Sequence, residues 1–227
     1  MRFLLGKSLP VLLGKSLPVL LGMSLPVLQG GSLPLLAALG TLAGCSILTP
    51  QPDLSRFYVL TPTVPDTAPA SPGARNRLSL GLGPIRFPDY LARPQLVSRL
   101  GENQIEFADE ERWAEPLERN FARVLGENLA HLLDTERVVT LPAFVSVTVQ
   151  YEVPMEVLRF ESDDRGTIEL WARWVVRDPA DGRLFHSTES RITETADGQG
   201  TDAVVAAMSR AVGRLSEEIA GAIARGA

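Results

Sequence analysis

The sequence predicts an α+β domain: a mostly antiparallel sheet with two amphipathic helices packed on one face. Three observations predict it. From Val145 to Val157 every odd position is apolar (Val145, Val147, Val149, Tyr151, Val153, Met155, Val157), the period of a strand with one buried face. Ile168, Leu170, Ala172, Trp174 and Val176 repeat that alternation a few residues on. Two other segments carry a helical period instead. A helix stripe and a sheet face each need an apolar partner, so helices on one side of a sheet answer both.

The elements follow in chain order. Residues 1–44 read as a secretory signal. Arg2, Lys7 and Lys15 open it, no acidic residue occurs before Asp53, and Leu, Val, Ala and Gly dominate up to Gly44. Within it an octapeptide repeats: Ser8, Ser16, Ser24 and Ser32 stand in register, followed by Pro10, Pro18, Pro26 and Pro34. A proline every eight residues breaks each incipient helix. The repeat therefore reads as a tandem expansion of the signal's apolar region or as an over-early start, with Met23 as the other candidate start. Gly-Lys-Ser occurs twice, but a phosphate-binding loop needs a glycine five positions before Gly14, and Leu9 stands there.

The signal ends on Leu42-Ala43-Gly44-Cys45, the pattern of a bacterial lipobox. Cys45 is the only cysteine in 227 residues, so it has no disulfide partner and no second thiol for a metal. Small residues before it let the chain lie extended in a peptidase cleft, and its sulfur is the one soft nucleophile able to take a thioether-linked diacylglycerol. Each buried CH₂ contributes about 0.8 kcal/mol, so two or more acyl chains anchor stably. Ser46 rather than Asp follows the cysteine, which points to the outer membrane in the sorting system of many Gram-negative bacteria.

Residues 45–54 form a lipidated tether and 55–227 a single domain. Arg56-Phe57-Tyr58-Val59-Leu60 is an aromatic and β-branched strand signal. Residues 61–77, rich in Pro, Ala, Thr and Ser, read as an extended, mobile loop that cannot bury enough apolar surface to order itself. A second strand covers 78–87, its glycines marking a bulge or a close backbone approach. Residues 88–95 make an irregular corner, and 96–100 with 104–108 a hairpin around Gly101-Glu102-Asn103. The first helix is expected over about 112–133, with Trp113, Leu117, Phe121, Leu125 and Leu129 four apart, Pro116 in its first turn and Glu110-Glu111 at its start. Three strands follow. In the first, over 145–157 and beyond, the phase shifts at Leu158 and Phe160 as a bulge would cause. Gly166 turns into 167–177, and Asp181-Gly182 into 183–195. The final helix begins near Thr201, with Val204, Val205, Met208, Val212, Leu215, Ile219 and Ile223 on its core side.

Composition narrows the function. The chain carries a net charge of −5, and removing the signal takes away three basic residues and no acidic one. An acidic domain without a basic cluster argues against nucleic acid and against electrostatic binding to anionic lipid, leaving the acyl anchor as the membrane contact. His131 and His186 lie on separate elements and no free cysteine joins them, so no metal set and no cofactor is expected. Asp163-Asp164, between Ser162 and Gly166, suit a solvated turn better than paired acid–base groups. The chain is read as a non-enzyme.

Taken in order, the lipobox, Arg56-Phe57-Tyr58-Val59-Leu60, Pro88-Asp89-Tyr90-Leu91, Arg112-Trp113-Ala114-Glu115-Pro116-Leu117, Val124-Leu125-Gly126-Glu127-Asn128-Leu129 and "IELWARWVV" resemble the ABC-type transport auxiliary lipoproteins of the PqiC/YmbA-like group. The resemblance covers nearly the whole mature chain. It implies a periplasm-facing outer-membrane lipoprotein that works with an MCE-domain protein in moving lipid between membranes, and that forms homo-oligomers. Pro88, Asp89, Tyr90, Leu91 and Arg93 form a fixed corner that is the candidate partner surface; its other reading is a rigid turn with Tyr90 packed inward. The alternative function is a structural or regulatory lipoprotein that contacts a cell-wall enzyme.

Overall fold

The computed structural model describes residues 52–63, 78–143 and 147–226. The signal, the octapeptide repeat, Cys45, Ser46, most of the Pro-rich loop and Val145 fall outside those residues. A compact unit begins at Asp53. Its elements run β1 (Arg56–Tyr58), β2 (Leu80–Arg86), a 3₁₀ turn (Asp89–Leu91), β3 (Gln95–Gly101), β4 (Gln104–Trp113), α1 (Leu117–Leu132), β5 (Val138–Thr140), β6 (Tyr151–Asp163), β7 (Thr167–Arg177), β8 (Leu184–Thr195) and α2 (Thr201–Gly226).

All eight strands join one sheet. The long ladders, β6–β7, β7–β8 and the β3–β4 hairpin, are antiparallel. Shorter parallel pairings attach β1 to β4, and β5 to β2. β6 organises the rest. One of its edges carries β7; the other carries β2 along Tyr151–Glu156 and then β3 at Ser162 and Asp163. The chain thus leaves one half of that edge at Arg86 and rejoins the other half at Ser98.

The expected alternation holds where the strands are long. Ile168, Leu170, Ala172, Trp174 and Val176 of β7 are all buried, as are Val153, Met155 and Val157 of β6. The register of β6 shifts between Val157 and Arg159, and burial then moves to Phe160, so the bulge lies where the apolar phase changes. In β2 the glycines do what their placement implied. Gly83 has φ +107°, and a Cβ built there would lie 2.7 Å from the Leu141 carbonyl oxygen. The β2–β6 register breaks at the same point.

The structure departs from expectation at five points. Trp113 is buried as expected but ends β4 rather than opening a helix. Its N–H donates to Pro94 O (2.7 Å) and that of Ala114 to Tyr58 O (2.9 Å), so neighbouring strands hold this backbone. Glu110 and Glu111 are accordingly strand residues paired with Arg56. Pro116 is the N-cap of α1, not part of its first turn. The residues 147–149 precede β6 without joining it, with Val147 exposed. Finally β5 was not expected; three residues carry no period, and only the β2 edge makes them a strand.

Both helices cover one face of the sheet, α1 over β2 and β5, α2 over β6, β7 and β8, and they pack against each other. Phe121 of α1 sits at the centre, edge-on to Phe87 (5.3 Å) and to Phe160 (5.5 Å). Each large apolar side chain buried here contributes roughly 1.5–3 kcal/mol. Asp134, with φ 49°, closes α1 in the left-handed conformation, and Thr135 N–H reaches back to Ala130 O (2.9 Å).

Between the helices runs the segment that follows β1. Leu60 is fully buried, and its N–H donates to Asn120 Oδ1 (3.2 Å). Thr61 N–H donates to Ser209 Oγ (3.1 Å) and Thr63 N–H to Asn128 Oδ1 (3.2 Å). Asn120 and Asn128 are fully buried, polar residues on the apolar side of α1 that stand in for the sheet partner this backbone has lost.

Candidate functional site

The corner between β2 and β3 contains every described residue expected to meet a partner. Pro88, at φ −60° and ψ 144°, directs the chain into a single 3₁₀ turn closed by Leu91 N–H to Pro88 O (2.9 Å) and Ala92 N–H to Asp89 O (3.1 Å). A short polar corner is what the β6 edge requires here, since the chain must cross from one half to the other without pairing. Within the turn the side chains divide. Leu91 is buried in the core. Tyr90 is partly buried, while Asp89 and Arg93 face solvent, Arg93 lying over the Phe107 ring at 4.9 Å. Pro88 is half-buried.

Tyr90 fixes the corner to the sheet. Its hydroxyl donates to Glu161 Oε2 (2.9 Å). Glu161 is only 2 % exposed, so its charge must be answered locally. Arg99 of β3 supplies that answer through Nε and Nη2, both 2.7 Å from Oε1, and Phe160 N–H donates to Oε2 (3.0 Å). Arg99 also donates to the Glu102 carbonyl (3.1 Å), tying in the hairpin turn. Burial, then the negative charge and hydrogen bond of Glu161, push the Tyr90 hydroxyl up to about 12. Burial works against the Arg99 charge, but contact with Glu161 outweighs it and raises the guanidinium. The corner, β3 and β6 therefore meet at one buried ionic cluster. Sequence reasoning missed Glu161 and Arg99. The one available signal was a Glu directly after a phase shift in an otherwise apolar-faced strand.

Beside the corner lies a cleft of about 580 Å³. Leu91, Leu96, Trp113, Phe160 and Met208 are among its apolar lining residues, and Glu106, Glu111, Asp163, Asp164 and Arg165 are its charged ones. The turn from Gly198 to Gly200, both at positive φ, carries the chain past it into α2. The lining comes from five separated stretches of chain, so no local pattern announces it.

The remaining candidates lie on other elements. Asp163 Oδ1 accepts from Arg165 N–H (2.9 Å) and Thr167 N–H (2.7 Å), the work of a turn residue. His131 lies in the last turn of α1, and His186 stacks on Trp174 at 5.1 Å. Ser190 bonds Trp174 Nε1 (2.8 Å) and Glu218, and lies four strand residues from His186, about 13 Å along the strand. That is no nucleophile–base pair. Among the described residues no cluster of three His, Cys, Asp or Glu could hold a metal, and no helix is long and apolar enough to cross a membrane.

Comparison with known proteins bears on this arrangement. Residues 58–220 match the family model described as the ABC-type transport auxiliary lipoprotein component. A solved but uncharacterized protein superposes with a TM-score of 0.60 at 22 % identity, covering 74 % of this chain and 98 % of its own. A protein from Xanthomonas campestris gives a TM-score of 0.60 at 19 % identity, covering 74 % and 93 %. At those identities the two structures establish a shared fold. No curated protein matches the chain.

Proposed function

We infer the function of this chain from the family to which it belongs, that of the ABC-type transport auxiliary lipoproteins. In this reading Cys45 carries the acyl anchor, residues 1–44 are removed as a signal and 45–54 tether the domain to the periplasmic face of the outer membrane. The domain is a non-catalytic component of an MCE-type envelope transport system that moves lipid and maintains membrane integrity. It self-associates, and it binds its MCE-domain partner through a surface that includes the Pro88–Arg93 corner.

One observation carries the reading: the family match spans the domain from β1 into α2. The corner supports its second half. Asp89 and Arg93 are presented to solvent on a turn that Tyr90 and Leu91 hold from within, so a partner would meet a surface already fixed before binding. Capture from detergent-solubilised envelopes tests the partner. Recovery of an MCE-domain protein supports the reading, and recovery of a peptidoglycan synthase in its place overturns it in favour of the cell-wall alternative. Sucrose-gradient fractionation tests the location; sedimentation with inner-membrane markers would overturn the outer-membrane assignment drawn from Ser46.

A further inference from the structure

Seven large apolar side chains stand exposed among the described residues, and three of them lie within six consecutive positions: Leu54 (59 %), Phe57 (62 %) and Val59 (44 %). Exposed hydrophobics scattered singly need no explanation, but a cluster does. Phe57 lies on β1 and Leu54 and Val59 flank that strand, whose only pairing is with β4, so its outer edge is unpaired. The adjoining charge is answered within the fold, because Arg56 pairs with Glu110 and Glu111. The inward side of the same stretch is well used. Tyr58 packs on the core and Leu60 is fully buried between the helices, so the segment is rigidly seated while Phe57 and Val59 face away.

The patch lies where the described chain begins. Leu54 lies nine positions after Cys45, and a chain of that length spans at most about 30 Å in any conformation. A lipid anchor at Cys45 would hold these side chains within that distance of the bilayer at a high effective concentration, under which even weak apolar contacts become populated.

We propose that Leu54, Phe57 and Val59 form a lipid-contact patch that rests in the interfacial layer of the anchoring membrane and sets the orientation of the domain on it. The inference rests on the lipoprotein reading. It adds that the domain does not hang freely from its tether, but lies with the β1 edge against the lipid. The contact is apolar rather than electrostatic, as suits an acidic domain.

The test uses the lipidated mature protein, residues 45–227, in which the Cys45 sulfur is consumed and any introduced cysteine is the only thiol. Leu54→Cys, Phe57→Cys and Val59→Cys each carry an environment-sensitive fluorophore, with Leu184→Cys as control. Leu184 is equally exposed (60 %) but belongs to β8, which pairs only with β7 on the far side of β6. The proteins are bound to phosphatidylcholine vesicles, with and without doxyl-labelled lipid. The expected result is a blue-shifted emission quenched by doxyl lipid at 54, 57 and 59, and a water-like, unquenched emission at 184. Vesicle flotation reports the anchor separately. A protein that floats while its label at 57 stays water-like overturns the proposal and spares the lipoprotein reading; one that fails to float removes the premise and the proposal with it. A blue shift without quenching also overturns it, since the patch would then be covered by protein, a second copy or a partner.

Discussion

Removing one oxygen atom tests whether the corner is held from within. In Tyr90→Phe the ring stays and the hydroxyl's bond to Glu161 is lost. A hydrogen bond to a charged group contributes about 1.5–3 kcal/mol net. Two features place this one near the lower end. Tyr90 is only partly buried, so water can approach, and Glu161 keeps Arg99 at 2.7 Å and Phe160 N–H at 3.0 Å. The expected loss is therefore about 1.5 kcal/mol, a fall of about 3–6 °C in Tm for a domain of this size. Urea unfolding of the parent, Tyr90→Phe, Glu161→Gln and the double variant gives the coupling directly. Tyr90→Phe unfolding within about 0.5 kcal/mol of the parent, or a coupling of zero, would refute the argument for the buried cluster.

Alkaline pH supplies a second reading of the same bond. The unfolded tyrosine titrates near 10 and the folded Tyr90 near 12. Between those values the unfolded chain releases a proton that the folded one retains. This contribution to stability is complete below about pH 10 and disappears as the pH rises through about 12. Tyr90→Phe lacks it, so the gap in Tm between parent and variant should narrow over that range. If Tyr90→Ala weakens partner capture while Tyr90→Phe leaves it unchanged at a lowered Tm, the ring matters to the surface and the hydroxyl to the fold.

Three further outcomes are expected. Asn120→Ala leaves the Leu60 N–H buried without an acceptor and should cost about 1–3 kcal/mol in urea unfolding, with faster hydrogen exchange at the Leu60 amide. Gly83→Ala meets both a positive φ and the Leu141 carbonyl at 2.7 Å, so a loss of at least about 2 kcal/mol is expected, read by Tm. Cys45→Ala should abolish incorporation of labelled fatty acid and leave an unprocessed precursor; unchanged labelling would remove the lipobox reading.

The sequence by itself determined whatever depends on local periodicity. The alternation of β7, its turns at Gly166 and Asp181-Gly182, the bulge after Val157 and the apolar side of α2 all follow from which side of a strand or helix must leave water. The fold class and the family motifs were legible for the same reason, since each is a short pattern written along the chain. The tertiary structure alone decided what depends on partners distant in sequence. Trp113 has a position in the helical stripe, yet its own N–H bond to Pro94 and the adjoining Ala114 N–H bond to Tyr58 keep this backbone in a strand. Val138–Thr140 became β5 only because the β2 edge was open beside it. Glu161 reads as one more charged strand residue until β3 brings Arg99, and the corner brings Tyr90, to its carboxylate. The cost of burying a charge is set by the groups the fold gathers around it, and those groups lie 62 and 71 residues away along the chain.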